Sequence, residues 1–144
     1  MSSLSDMEKA KELFSTGKYT CVMCKDDKIF TSTERGVKPL VELIESQKDY
    51  TDFAAVDKIV GKAAAFLYVL IGIDRIHAIV MTKEASDILD TGCAEATADT
   101  FTDRIINRMG DDICPMEKAV SGIESPIEAF LKIRETMEEL RKNH

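Results

Sequence analysis

The segment VDKIVGKAAAFLYVL (56–70) sets charged residues at the entrance to the most apolar part of the chain. A glycine at a strand-to-helix turn lets backbone N–H groups approach an anion, and a helix N-terminus carries partial positive charge. Gly61 and Lys62 therefore predict an anion site, to which Lys58 would add charge. Asp57 would contact a ribose hydroxyl or hold Lys58 in place. The P-loop pattern is absent, and the alternative is a tight turn with solvated lysines.

A second group of reactive residues lies in INRMGDDICPME (106–117). Asn107 offers a donor and an acceptor, and Arg108 a planar fork of donors, so both suit a base, a ribose or a phosphate. Cys114 precedes the proline of a predicted helix, and a helix N-terminus favours the thiolate form of cysteine. Glu117 follows one turn later. The sequence leaves open a functional Cys114 and, as the alternative, a buried cysteine beside a helix-stabilising acid.

The other cysteines and the histidines predict no metal or redox site. Cys21 and Cys24 have C-x-x-C spacing, but there is no second pair, and positions i and i+3 of a strand point to opposite faces. We interpret them as packing residues. His77 is flanked by apolar residues in a predicted strand, and no nucleophile-elbow motif accompanies it.

Alternating helices and strands must position these residues. Periodicity and turn residues predict helices over 6–14, 36–47, 61–71, 83–90, 116–120 and 127–142, and strands within 20–33, as a hairpin, and over 53–60, 75–82 and about 96–100. This order predicts one domain over 1–144, a three-layer α-β-α sandwich with a mixed sheet. Ligands of such sheets bind at the carboxyl ends of the strands. The 61–71 helix is apolar nearly all round and should be covered on most sides.

Charge and hydropathy exclude several classes of partner. The formal net charge of -7 repels phosphodiester backbones, so nucleic acid is not expected to bind, although a local site for one nucleotide is compatible with it. The start of the chain has no apolar core of a signal peptide. The longest apolar run, 63–73, is short of the roughly 20 residues that a membrane span needs. We expect a cytoplasmic protein with reduced cysteines, and the sequence leaves open whether it forms a homo-oligomer.

Three stretches, DKIVGKAAAFLYVL (57–70), INR (106–108) and CPMEKAV (114–120), resemble a family of small, uncharacterised prokaryotic proteins with a cytidine-deaminase-like fold. The resemblance covers the chain from about Asp6 to the last helix. It implies a mixed sheet between layers of helices, in agreement with the order of elements above.

The same resemblance bears on metal chemistry. Zinc deaminases carry H-x-E at the start of one helix and P-C-x-x-C at the start of the next. The resemblance aligns these motifs with Gly61, Lys62 and Ala63, and with Cys114 and Glu117. Glycine and alanine provide no ligand and no general acid or base, and a catalytic zinc needs three protein ligands. The resemblance therefore implies no zinc, no cofactor and no deamination.

The favoured function is a metal-free protein that binds a nucleotide or a nucleotide-sugar (ADP-ribose-like) ligand, because the usual substrates of this fold are nucleobases and nucleosides. Its cleft would be lined by Asp57, Lys58, Gly61, Lys62, Asn107, Arg108, Cys114 and Glu117. One alternative is an enzyme with Cys114 as nucleophile and Asp57 or Glu117 as acid or base. The other is a structural or partner-binding protein with a vestigial cleft. Whether a reaction is catalysed stays open.

Overall fold

Helices and strands follow one another in the predicted order in the computed structural model, which describes residues 5–34, 36–104 and 114–142. The helices are α1 (Asp6–Phe14), α2 (Lys38–Ser46), α3 (Lys62–Ile71), α4 (Lys83–Thr91), α5 (Pro115–Ala119) and α6 (Pro126–Lys142). The strands are β1 (Cys21–Lys25), β2 (Lys28–Ser32), β3 (Ala54–Val60), β4 (Arg75–Thr82) and β5 (Glu95–Thr102). The predicted bounds hold to within a residue or two, and β5 is longer at both ends than 96–100.

The strands form one mixed sheet in the order β2-β1-β3-β4-β5. β1 runs antiparallel to β2 and β3, whereas β3, β4 and β5 are parallel to one another. Val60 lies opposite Met81, and Met81 opposite Phe101, so the three parallel strands end at the same border of the sheet. We call this border, with residues 61–62, 82–84 and 102–104, the carboxyl edge.

The larger core lies between one face of the sheet and helices α2 to α6. Helix α3 is at its centre, with Leu67 and Tyr68 fully buried, and the prediction that this helix is covered on most sides is confirmed. Burying a leucine side chain contributes about 2 kcal/mol to folding. No helix in the described part of the chain is long and apolar enough to cross a membrane.

Helix α1 forms the third layer on the opposite face of the sheet. Ala10 of α1 packs against Val22, Cys24 and Val56. Because Cys21 belongs to the larger core and Cys24 to this smaller one, the two cysteines point to opposite faces as predicted. The three-layer α/β sandwich with a mixed sheet is therefore confirmed.

Candidate functional site

The start of α3 is capped by a carboxylate from a distant part of the chain. Glu117, 55 residues away from Lys62, accepts the Lys62 N–H through Oε1 at 2.8 Å. Its Oε2 accepts the Ala63 N–H, also at 2.8 Å. Gly61 is the N-cap residue and has no side chain to do this locally. Glu117 therefore satisfies two of the free N–H groups of the helix and sets a negative charge at the positive end of its dipole.

Gly61 is needed for this contact because of space rather than backbone conformation. Its angles, φ −103° and ψ −170°, are open to any residue. A Cβ at this position would lie 2.6 Å from Cδ and 2.9 Å from Oε2 of Glu117, and would overlap Oε1. The sequence predicts that Gly61 lets an anion approach the helix, and the anion found there is the chain's own carboxylate.

Lys62 is a charged residue in a buried position. It is 8% exposed, and its Nζ lies 3.5 Å from Oε2 of Glu84, whose side chain is 61% exposed. The ammonium also lies 5.8 Å from the centre of the Phe66 ring. A cation in the first turn of a helix is disfavoured by the helix dipole. Among the described residues, the ion-pair partner of Lys62 is the single carboxylate of Glu84, which is largely exposed to solvent.

The rest of the carboxyl edge is polar and charged. Thr82 caps α4 by accepting the Ala85 N–H at 3.0 Å. Lys83 and Asp103, both exposed, lie 3.3 Å apart. Exposed pairs of this kind contribute about 0–1 kcal/mol to stability, so they can rearrange around a ligand at low cost.

Asp57 faces the core rather than the carboxyl edge. Its Oδ2 accepts the Tyr68 hydroxyl at 2.6 Å, and the Tyr68 oxygen lies 3.1 Å from Cys21 Sγ, so the thiol donates to Tyr68. Burial raises the pKa of Asp57 to about 6, although hydrogen bonds from Tyr68 and from the N–H groups of Ile59 and Lys58 lower it. Burial also raises the pKa values of Tyr68 and Cys21. One carboxylate and two neutral groups therefore link β3, α3 and β1.

The structure brings together only part of the predicted residue set. Gly61, Lys62 and Glu117 meet at the start of α3. Cys114 is the partly buried N-cap residue of α5, the helix that carries Glu117. Lys58 is exposed. Asn107 and Arg108 lie outside the described residues.

Three residues of this region are missing from the predicted set: Tyr68, Cys21 and Glu84. The sequence does contain a signal for Tyr68. A buried hydroxyl in an apolar helix needs a hydrogen-bond partner, and Asp57 lies in the strand before that helix. Glu84 has no such signal, since an acid in the first turn of a helix is common without any partner.

The residues at the zinc-deaminase positions do not fit a metal. Gly61 and Ala63 carry no donor atom, and both oxygens of Glu117 already accept backbone N–H groups. Within 5–34, 36–104 and 114–142, no three side chains of His, Cys, Asp or Glu lie close enough together to hold a metal ion. The described donors thus provide no set of the size that a zinc site requires.

Comparison with known proteins relates the chain to proteins of unknown function. The family described as "Domain of unknown function (DUF1893)" matches residues 9–137. The crystal structure of a DUF1893 family protein from Thermotoga maritima is similar to this chain, with a TM-score of 0.81 and 27% sequence identity. The match covers 96% of this chain and 92% of the other. Among curated proteins, none matches.

Proposed function

Since the chain belongs to the DUF1893 family, whose function is unknown, we propose that it is a metal-free protein that binds a small phosphorylated ligand at the carboxyl edge. A nucleotide or a nucleotide-sugar of the ADP-ribose type suits the predicted residues best. The observation that carries the proposal is Lys62, a lysine residue that is 8% exposed in the first turn of α3.

Lys62 is in a position that is costly for the free protein. An ammonium loses hydration when it is buried, and the dipole of α3 opposes its charge. Its partner Glu84 lies at 3.5 Å and is largely exposed, so the pair offsets only part of this cost. A bound phosphate would add charge-assisted hydrogen bonds at the ammonium. A lysine at this position therefore supports the binding of an anionic ligand.

The charge of the chain restricts the size of such a ligand. A protein with a net charge of -7 repels long phosphodiester chains, so the favourable potential must be local to Lys62 and the exposed Lys58 and Lys83. The preference for a nucleotide comes from Asn107 and Arg108, whose donors and acceptors match a base edge and a phosphate.

Calorimetric titration with AMP, ADP, ADP-ribose, CMP and UDP-glucose tests the proposal. Lys62→Ala should weaken binding of the preferred ligand by roughly 1–3 kcal/mol, the range for a hydrogen bond to a charged group. Lys132→Ala is the matched control, because Lys132 lies on α6 and pairs there with Glu135 at 3.3 Å; it should bind like the wild type. Affinity should also fall as salt rises.

Two results would count against the proposal. Equal affinity of the wild type and Lys62→Ala would remove Lys62 from the site. No binding of any of the five compounds would favour a structural or partner-binding protein with a vestigial cleft.

The arrangement gives less support to an enzyme with Cys114 as nucleophile. Such a mechanism needs a base within hydrogen-bond reach of the thiol. In the described residues, the Asp57 carboxylate is bonded to Tyr68 and the Glu117 carboxylate to the start of α3. The proposal is therefore limited to binding.

A further inference from the structure

Glu117 holds the two N–H groups that a phosphate at the start of α3 would use. We propose that this carboxylate is an autoinhibitory latch: while it caps α3, the N–H groups are closed to the ligand, and its release frees the front of α5 and exposes Cys114. The inference rests on the proposed function for the identity of the competing anion. It changes the predicted role of Glu117 from a ligand contact to a competitor of the ligand.

The attachment of α5 makes such a release feasible. The helix has five residues, none of them buried. Met116 packs only partly against the core, whereas Val120, directly after the helix, is fully buried. The bond from Glu117 to α3 is thus a polar anchor in the first turn of α5, and Val120 anchors its end. Release of Glu117 would move the first turn, which begins beside Cys114, and leave Val120 in place.

Competition between the two anions follows from charge and geometry. Glu117 is tethered to the chain, so its effective concentration at α3 is high and a free anion must overcome it. A phosphate carries more charge than a carboxylate and would also pair with Lys62. The apparent affinity of the ligand is its intrinsic affinity reduced by the fraction of molecules with the latch open. Weakening the latch should therefore tighten binding.

The four cysteines differ in exposure, so their reactivities within one molecule show whether the latch is open. Cys93 is exposed and Cys21 and Cys24 are buried, whereas Cys114 is intermediate. A thiol reagent should modify Cys93 in any state and Cys21 and Cys24 only when the whole domain unfolds. A faster reaction of Cys114 that stays well ahead of Cys21 and Cys24 therefore marks a local opening of α5.

The experiment measures the rate at which N-ethylmaleimide modifies each cysteine, by peptide mass spectrometry, in the wild type, Glu117→Gln and Gly61→Ala. Glutamine keeps the size of the side chain but sets an amide NH₂ against one of the two N–H groups. Alanine at 61 displaces the carboxylate without changing it. In both variants we expect Cys114 to react about tenfold faster or more, in line with a larger open fraction, and Cys93 to be unchanged. Cys21 and Cys24 should speed up only as far as the lower stability of the whole domain allows, and should stay far slower than Cys114.

ADP binding to the wild type and Glu117→Gln, measured by calorimetry, completes the test. We expect Kd to fall about tenfold in Glu117→Gln. Gly61→Ala is not used in the binding measurement, because the added Cβ would also obstruct a phosphate. An unchanged rate at Cys114 in both variants, or a Cys114 that reacts no faster than Cys21 and Cys24, would overturn the latch.

The two proposals fail in different ways. Equal or weaker ADP binding by Glu117→Gln would overturn the latch and leave the proposed function standing. If Cys114 opens in the variants but ADP binds to neither protein, the proposed function fails for this probe and the autoinhibitory role falls with it.

Discussion

Two carboxylates meet α3, Asp57 near its middle and Glu117 at its start, and they face different donors. Asp57 accepts the Tyr68 hydroxyl at 2.6 Å and N–H groups of its own strand, in a partly buried position beside the larger core. Glu117 accepts two backbone N–H groups at the positive end of the helix dipole, each at 2.8 Å.

The difference shows how position sets the role of a carboxylate. At Asp57, burial outweighs the hydrogen bonds, so the pKa rises to about 6 and the charged form is a cost to the fold. At Glu117, the donors belong to a helix end that favours negative charge, so the charged form anchors α5. Asp57 should therefore affect stability through pH, and Glu117 through the geometry at Gly61.

The largest effect is expected from Gly61→Ala. The added Cβ should push Glu117 off both N–H groups, and hydrogen bonds to a charged group contribute about 1.5–3 kcal/mol each. We expect the free energy of unfolding to fall by about 3 kcal/mol, after a small gain because alanine restricts the unfolded chain more than glycine. Urea denaturation measures this change. A loss below about 1 kcal/mol would mean that the carboxylate finds another position at little cost.

The pH dependence at Asp57 should be nearly as large. The folded-state pKa, about 6, lies above the usual 3.8, so folded Asp57 binds its proton more tightly than unfolded Asp57. Its contribution to stability is then present below about pH 4 and is lost as pH rises through about 6, a change of about 2–3 kcal/mol.

Asp57→Asn cannot titrate and serves as the matched control. The unfolding free energy of wild type minus that of Asp57→Asn should fall between pH 4 and pH 7, whatever the other carboxylates contribute. A difference that stays flat over this range would place the Asp57 carboxylate in contact with solvent.

A smaller effect is expected from Tyr68→Phe. It removes the hydroxyl that donates to Asp57 and leaves the Cys21 thiol without its acceptor. We expect a loss of about 1–3 kcal/mol at pH 7, the cost of a buried group without its partner, and a smaller loss at pH 4, where Asp57 is protonated. Thermal melts at both pH values measure it. An equal loss at both would show that the packing of the ring, rather than the charge of Asp57, decides the effect.

The smallest effect on stability is expected from Lys62→Ala. The variant removes an unfavourable charge from the start of α3 and breaks one pair with an exposed carboxylate. These changes oppose each other, so the unfolding free energy should change by less than about 1 kcal/mol. A much larger loss in urea denaturation would make Lys62 a structural residue, and would weaken the case for a ligand at this place.

The sequence predicts contacts between residues that are close together in the chain, but it does not predict the contacts between residues that are far apart. At the start of α1, Ser5 and Glu8 form a capping box. The two residues are three positions apart, and such a pattern can be recognised in the sequence. The cap of α3 comes from 55 residues away, and no spacing rule relates Gly61 to Glu117. The sequence placed both in one cleft, but as ligand contacts. Likewise, the bond between Asp57 and Tyr68 joins two different elements, and the predicted residue set included Asp57 without Tyr68.

A double-mutant cycle of Gly61→Ala and Glu117→Ala tests most directly that Glu117 is the cap of α3. Gly61→Ala should cost about 3 kcal/mol in the wild type. In the Glu117→Ala background the new Cβ meets no carboxylate, so the same substitution should be neutral or stabilise by up to about 1 kcal/mol. The predicted coupling energy between the two positions is therefore about 3 kcal/mol. An equal cost of Gly61→Ala in both backgrounds would contradict the account.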